Sequence, residues 1–215
     1  MNTCGAGSPA DRIRWVACEA LLARQRARAD ARTLWAQHDR ETVLVFQAYR
    51  PEIGRAAVAA GTLAVPGFAL TRATWIKPGY LWMMHRSDWA RSEGQEVVLG
   101  LLVERAWFEA VLGRAELSTH AAREPGGAAR RATDVVVQWD PDWGPRHQRQ
   151  PWRAIQIGLR PGAVPGYLAA IRAVIDLTPE VVRGRDAVAA GADPLVPDAD
   201  VLELADAESR RRLGL

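Results

Sequence analysis

One lysine lies in the most aromatic stretch of the chain. Lys77 is the only lysine among 28 basic residues, and it stands between Ile76 and Pro78 in the segment 72–89, which holds three of the nine tryptophans. An ammonium group is compact, and burial can move its pKa into the neutral range. Lys77 is therefore a candidate to bind a phosphate or carboxylate as a point charge, or to act as a general acid or base. The alternative is a lysine without a chemical role.

Arginines and aromatic residues flank Lys77 in the sequence. The neighbours with chemical potential are Arg72, Trp75, Trp82, His85 and Arg86. Aromatic rings stack on planar ligands, and guanidinium groups bind phosphate through paired N–H donors. The segment therefore predicts a pocket for a nucleotide-like small molecule. The alternative is that the tryptophans only pack in the core.

Two polar side chains share one face of a predicted strand. Gln47 and Tyr49 alternate with Phe46 and Ala48, and the two-residue period of a strand places alternate side chains on the same face. Two hydrogen-bonding groups on one face form either a satisfied network in the core or one wall of a cleft. Both interpretations remain open at the level of sequence.

Later strands contribute further candidates. Glu96 stands where a predicted strand begins, and its carboxylate is either a general base or a surface residue. Gln138 and Asp140 alternate on one strand, and Arg153 and Gln156 lie on the next. These four residues are predicted to bind ligand, and the alternative for Asp140 and Arg153 is an ion pair across a hairpin.

The elements that must position these residues follow from hydrophobic periodicity. Strands are predicted over 42–49, 73–77, 95–103, 134–140 and 153–159. Helices are predicted over 10–29, 51–60, 104–112, 164–175 and 200–213, and a helix or turn over 80–90. Because the strands and short helices follow no regular βαβ period, we expect an α+β fold with a central, mostly antiparallel sheet and flanking helices.

The chain length of 215 residues favours a single domain. Residues 1–30 are predicted as an N-terminal extension with a basic amphipathic helix. Residues 31–178 are the predicted core domain, and residues 179–215 an acidic C-terminal tail, extended at first, with a terminal helix. A turn is predicted at 141–144, where Pro and Gly follow a strand.

Several functional classes lose support from the sequence. No G-x-G-x-x-G, G-x-x-x-x-G-K-[ST] or G-x-S-x-G motif is present. Cys4 and Cys18 have no partner cysteines or histidine cluster, so no metal site is predicted. A net charge of +3 is weak support for nucleic-acid binding. No apolar run suggests a membrane span or a secretory signal, so the expected location is the cytoplasm.

Several motifs together resemble a bacterial family. They are FQAY (46–49), PEIGRAAVAAG (51–61), TWIKP (74–78), LWMMHRSDWA (81–90), GQE (94–96), QWDPD (138–142) and RAIQIGL (153–159). In this order they resemble DUF family 4291, a domain of unknown function, from about Arg32 to Thr178. His85 stands where that family usually has a tyrosine. The family name implies no activity.

The element layout is also distantly similar to that of ADP-ribosyltransferases and RNA 2′-phosphotransferases. That resemblance implies an enzyme using NAD, in which Gln47 holds the ribose, aromatic residues stack on nicotinamide and Glu96 orients the nucleophile. Gln47 stands where that group usually has His or Arg. The candidate catalytic residues are thus Lys77, Glu96 and Gln47. The alternatives are a nucleotide- or nucleic-acid-binding module without catalysis, and a small-molecule enzyme with Lys77 as its base.

Overall fold

Two sheets form the framework of the protein. The computed structural model describes residues 8–28, 30–118 and 133–215. Its strands are β1 (Trp15–Ala17), β2 (Trp35–Ala36), β3 (Thr42–Tyr49), β4 (Thr74–Ile76), β5 (Val97–Glu104), β6 (Glu116–Leu117), β7 (Val135–Trp143), β8 (Arg149–Leu159), β9 (Ile171–Asp176), β10 (Leu195–Pro197) and β11 (Asp200–Val201). Its α-helices are α1 (Cys18–Ala27), α2 (Pro51–Ala60), α3 (Tyr80–Ser87), α4 (Arg105–Arg114), α5 (Val164–Ala170), α6 (Thr178–Ala189) and α7 (Ala207–Leu213).

The first sheet has the order β3-β5-β9 and the second the order β4-β8-β7-β6. Within them, β6 and β7 pair in parallel, and the other neighbouring strands run antiparallel. Two smaller sheets pair β1 with β10 and β2 with β11. This architecture confirms the predicted α+β class with a mostly antiparallel sheet framework.

Both faces of β3 are buried. Val43 and Val45 of β3 belong to one apolar cluster, whereas Leu44 and Phe46 belong to another. The first cluster also takes in Ile157 of β8, so the two sheets share it. The second cluster lies on the opposite face of β3 and includes residues of α1, α3 and α6. Burial on both faces explains why the sequence of β3 reads as a nearly continuous apolar run.

Local signals located the early elements well. The structure confirms the strand at 42–49 and the helix at 51–60. Pro51 begins α2, where its missing N–H needs no partner, and Gly61 ends it with a φ of 65°, in the left-handed region that glycine adopts without strain.

Three predicted helices were partly wrong. The helix predicted over 200–213 begins only at Ala207, and Asp200–Val201 is β11. Where one helix was predicted over 10–29, the structure has a 3₁₀ turn (Pro9–Arg12), then β1 and α1, which ends at Ala27, and residue 29 lies outside the described residues. The predicted helix at 164–175 ends at Ala170, and Ile171–Asp176 is β9. The β-branched residues in β9 favour a strand, and pairing with β5 decided the outcome.

The C-terminal segment is more ordered than the sequence suggested. The prediction that the C-terminal tail is extended at first is wrong, because α6 begins at Thr178, with Pro179 in its first turn, and β10 follows. The turn predicted at 141–144 is also wrong, since β7 continues to Trp143 with a register shift near Pro141. The boundaries at residues 30 and 178 stay predictions, but the flanking segments are not peripheral, because Leu22 and Leu202 are buried in the two clusters.

A glycine in α2 gives a test of how tightly this helix packs on β5. A Cβ added at Gly54 would lie 2.5 Å from Val97 Cγ1, so Gly54→Ala is expected to destabilise the protein by about 1–3 kcal/mol through overpacking. Gly113 in α4 has no atom near an added Cβ, and Gly113→Ala is expected to stabilise by up to about 1 kcal/mol. Urea denaturation of both variants checks the pair. Equal effects would contradict the close packing.

Candidate functional site

A cleft opens where the two sheets meet. The backbone N–H of Phe46 in β3 donates to the carbonyl of Lys77, just after β4, at 2.7 Å. Beside this junction lies a cavity of about 700 Å³, a size typical of small-molecule sites. Eight of the residues singled out from the sequence line it, namely Gln47, Tyr49, Arg72, Trp75, Lys77, Trp82, Arg86 and Gln156.

Gln47 holds the wall of the cleft together. Its Nε2 donates to Thr74 Oγ1 at 2.7 Å and to the Trp75 carbonyl at 3.0 Å. Its Oε1 accepts from the buried hydroxyl of Tyr167 in α5 at 2.7 Å. Because both ends of the amide are engaged, Gln47 links β3, β4 and α5 and acts as a positioning residue.

Lys77 is half-buried against aromatic and backbone groups. Its Nζ donates to the Trp75 carbonyl at 3.1 Å and lies 5.5 Å from the centre of the Trp82 ring. Burial lowers the pKa of Lys77 to about 8, with a further lowering by Arg86 and an opposing effect of Asp140. The ammonium group is therefore mostly protonated at neutral pH and close to its titration range.

Two exposed arginines stand at the cleft. Arg72 and Arg86 both line the cavity. Among the ion pairs of the described residues, neither arginine appears, and Lys77 has no carboxylate partner either. Three cationic groups therefore face one cavity without an ion pair inside the described part of the chain.

The tryptophans form part of the same wall. Trp75 packs on β8 at Gly158, where an added Cβ would come within 2.9 Å of the indole ring. Trp82 projects from α3 and is largely buried. The absence of a side chain at Gly158 thus sets the position of the Trp75 ring in the cleft.

One carboxylate, Asp140, is held by two glutamines on the second sheet, next to the cleft. Asp140 accepts hydrogen bonds from Gln138 Nε2 at 2.8 Å and from Gln156 Nε2. Gln156 also lines the cavity, so it connects the carboxylate to the cleft. The charge of Asp140 partly offsets the lowering of the Lys77 pKa by burial and by Arg86.

Two polar atoms near the cleft are buried without a hydrogen bond. They are the Tyr49 hydroxyl and Glu96 Oε2. Burial raises the pKa of Tyr49 above its usual value, with an opposing effect of Thr74. The other carboxylate oxygen of Glu96 accepts from the Gly94 N–H at 2.9 Å. Glu96 therefore adjoins the loop that lines the cleft but does not line the cavity itself.

Two candidates lie away from the cleft. Arg153 projects from the opposite face of β8 to Gln156, as the two-residue period requires, and lines a separate cavity of about 830 Å³. Its register partner is Pro141, and its guanidinium donates to the Trp139 carbonyl at 3.3 Å. The structure therefore does not bring Arg153 to the cleft, and ligand binding by Arg153 stays a prediction.

His85 also leaves the cleft. Its ring stacks on Trp143 with centroids 3.8 Å apart, and its Nδ1 lies 3.0 Å from His147 Nδ1. Burial, then the neighbouring His147 and Arg86, lower the pKa of His85, while Asp88 opposes this effect. His85 therefore does not line the cleft, and ligand binding by His85 stays a prediction.

Sequence reasoning missed several residues of the site. Thr74, Glu93 and Gln95 line the cavity, and Tyr167 fixes Gln47. Polar residues beside the aromatic strand and before β5 were visible signals for the first three. Tyr167 lies 120 positions from Gln47, and no local pattern pointed to it.

The described residues contain neither a helix that could span a membrane nor a metal-binding group of three or more side chains. None of their helices combines the length and apolar character that crossing a membrane requires. None of their His, Cys, Asp and Glu side chains forms a group of three or more suited to a metal ion. Cys18 is a buried free thiol, whereas Cys4 lies outside the described residues.

Comparison with known proteins places the chain in a family. Among curated proteins, none matches this sequence. A family model described as "Domain of unknown function (DUF4291)" matches residues 33–201. This range contains β2 to β11 and every residue that lines the cleft. Because the match covers most of the sequence, the chain belongs to the DUF4291 family.

Proposed function

We propose that the cleft binds a nucleotide, with NAD as the favoured ligand, and that the protein is an ADP-ribosyltransferase-like enzyme acting on it. One observation carries this proposal. Arg72, Lys77 and Arg86 line the same cavity as Trp75 and Trp82. A nucleotide offers the two chemical features that such a cavity complements, which are phosphate charge and planar rings.

The cations supply the phosphate site. Arginine binds phosphate through two parallel N–H groups, and lysine binds it as a point charge. Arg72 and Arg86 approach the cavity from the segment before β4 and from α3, with Lys77 at the end of β4. This arrangement favours a pyrophosphate bridge between the two arginines, with Lys77 deeper in the cleft.

The rings and amides supply the remaining contacts. Trp75 and Trp82 offer apolar surfaces for stacking. Gln95 and Gln156, both lining the cavity, offer amide donors and acceptors for ribose hydroxyls. The cavity volume of about 700 Å³ favours a small nucleotide over a polymer.

The proposed reaction is substitution at the ribose carbon that carries nicotinamide. The carbon–nitrogen bond breaks and nicotinamide leaves with its electron pair. An acceptor oxygen or nitrogen then bonds to that carbon and loses a proton. The transition state resembles an oxocarbenium ion, which a nearby carboxylate stabilises. Glu93 lines the cleft and Glu96 adjoins it, and we assign this role to one of these two.

A binding experiment tests the proposal. Isothermal titration with NAD, ADP-ribose and a single-stranded oligonucleotide is expected to show binding of the first two. Substituting both Arg72 and Arg86 by alanine is expected to weaken NAD binding at least about tenfold, since each loses a charge-assisted hydrogen bond. Arg55→Ala, an exposed arginine in α2 outside the cavity, is the matched control and should bind NAD normally.

The outcomes separate the alternatives. The transferase is supported if the parent protein releases nicotinamide from NAD and if Glu93→Gln or Glu96→Gln abolishes this release. Binding of the oligonucleotide alone would overturn the proposal in favour of a nucleic-acid-binding module. Normal NAD binding by the doubly substituted protein would show that the cleft is not the site.

The pKa of Lys77 favours a second candidate, a small-molecule enzyme with a lysine base. A lysine with a pKa of about 8 is close to the range that general-base catalysis needs. Lys77→Arg separates the two functions, because arginine keeps the charge but does not release a proton at neutral pH. Retained turnover in this variant excludes the lysine base, whereas lost turnover with retained binding favours it.

A further inference from the structure

Two histidines far apart in sequence meet outside the cleft. His85 lies in α3 and His147 in the turn between β7 and β8, 62 positions later, with their Nδ1 atoms 3.0 Å apart. We propose that His85 and His147 form a binding site for one divalent transition metal ion of the zinc, nickel or copper class. This inference is independent of the function proposed for the cleft.

The distance between the two nitrogens fits a shared metal. With a zinc–nitrogen bond of about 2.0–2.1 Å, two ligands are separated by about 3.3 Å in a tetrahedron and by about 2.9 Å at a right angle. The observed 3.0 Å lies between these values. The distance between the two nitrogens therefore allows one ion to take the place of their hydrogen bond.

A carboxylate prepares His147 for this role. Asp88 Oδ1 lies 3.4 Å from His147 Nε2, so the proton of the neutral ring belongs on Nε2 and the lone pair on Nδ1. Metal-binding histidines commonly donate their second N–H to a carboxylate in this way. Arg91 also binds Asp88, at 3.0 and 3.1 Å, and fixes its orientation.

The rings are held in place from both sides. Trp143 stacks on His85 with an interplanar angle of 13°. The backbone of His147 has a φ of 59° and that of Asp88 a φ of 48°. A non-glycine residue in this left-handed region is uncommon, and such strain gathers where the surrounding structure fixes a functional geometry.

The ligand set selects the class of ion. Imidazole nitrogen suits zinc, copper and nickel, whereas calcium and magnesium prefer oxygen. Because no third His, Cys, Asp or Glu completes a group in the described residues, water fills the remaining coordination positions. The site therefore binds metal reversibly and leaves positions open to an external ligand.

Zinc titration in competition with a chromophoric chelator tests the site. The purified protein, freed of metal, is expected to bind one equivalent through the two histidines. His85→Ala and His147→Asn should each weaken zinc binding at least about tenfold, and Asp88→Asn by about tenfold. Asparagine is chosen at position 147 because it tolerates positive φ. His38→Ala, which changes a histidine bonded to the Val201 carbonyl, is the matched control and should bind zinc normally.

A second readout locates the ion. Copper bound at this site is expected to quench the fluorescence of Trp143, and Trp143→Phe should remove that quenching while keeping the affinity. Circular dichroism confirms that each variant is folded. Unchanged zinc affinity in both histidine variants would overturn the proposal, as would affinity that disappears only when the thiols are blocked.

Discussion

Gln47→Leu is expected to lower the free energy of unfolding by about 2–4 kcal/mol. The hydroxyl of Tyr167, fully buried, then loses its acceptor, and an unsatisfied buried donor costs about 1–3 kcal/mol. The bonds to Thr74 and to the Trp75 carbonyl are lost as well, although that carbonyl keeps its bond from Lys77. Denaturation in urea measures the loss.

Tyr167→Phe supplies the partner for a double-mutant cycle. It removes the hydroxyl and leaves the ring, so the double variant should be more stable than the sum of the single losses predicts. The two losses are coupled because both variants break the same bond. A Gln47→Leu protein that is fully stable but inactive would contradict the positioning role and restore Gln47 as a reacting residue.

Lys77→Met is expected to weaken the binding of anionic nucleotides at least about tenfold, because a charge-assisted bond contributes about 1.5–3 kcal/mol. The same change should leave the free energy of unfolding unchanged or raise it near pH 7. The folded protein disfavours the charged form of Lys77, since burial lowers its pKa to about 8 from a usual 10.5. Titration calorimetry and urea denaturation measure the two effects.

The pH dependence of stability follows from the lowered pKa of Lys77. Between pH 8 and 10.5 the unfolded chain binds more protons at Lys77 than the folded protein does, so this group makes stability rise with pH in that window. Below pH 8 its unfavourable contribution is fully present. The difference in stability between Lys77→Met and the parent should therefore shrink as the pH rises from 8 towards 10.

Nucleotide affinity should fall as the pH rises, although the contribution of Lys77 to stability improves. The parent should lose affinity as the pH rises through about 8, because the ammonium group loses its charge, whereas Lys77→Met should show little change. Arg72 and Arg86 keep their charge throughout this range. An affinity that is independent of pH in the parent would show that Lys77 does not contact the phosphate.

Local chemistry made part of the fold predictable. Thr42–Tyr49 carries β-branched and aromatic residues between clear boundaries, and Pro51 and Gly61 mark both ends of α2. Ile171–Asp176 was different. Its β-branched residues favour a strand, but it directly follows a helix, and its pairing with β5 decided the outcome.

The candidate site also has a part that the sequence predicts and a part that it does not. Gln47 and Tyr49 line the cleft together because the period of a strand places them on one face. The same period places Arg153 on the opposite face from Gln156, so counting residues along β8 would have separated them. No counting rule joins Gln47 to Tyr167, or His85 to His147, since these contacts depend on how distant elements pack.

The pairing of early with late strands has a consequence for synthesis on the ribosome. Trp15–Ala17 pairs with Leu195–Pro197, and Trp35–Ala36 with Asp200–Val201. These early strands emerge long before their partners are made, and during that time their unpaired backbone edges can associate with other chains. Leu202 and Leu204 also complete the core cluster between the sheets. A chaperone that shields residues 15–36 of the nascent chain should therefore raise the yield of folded protein more than one acting after release.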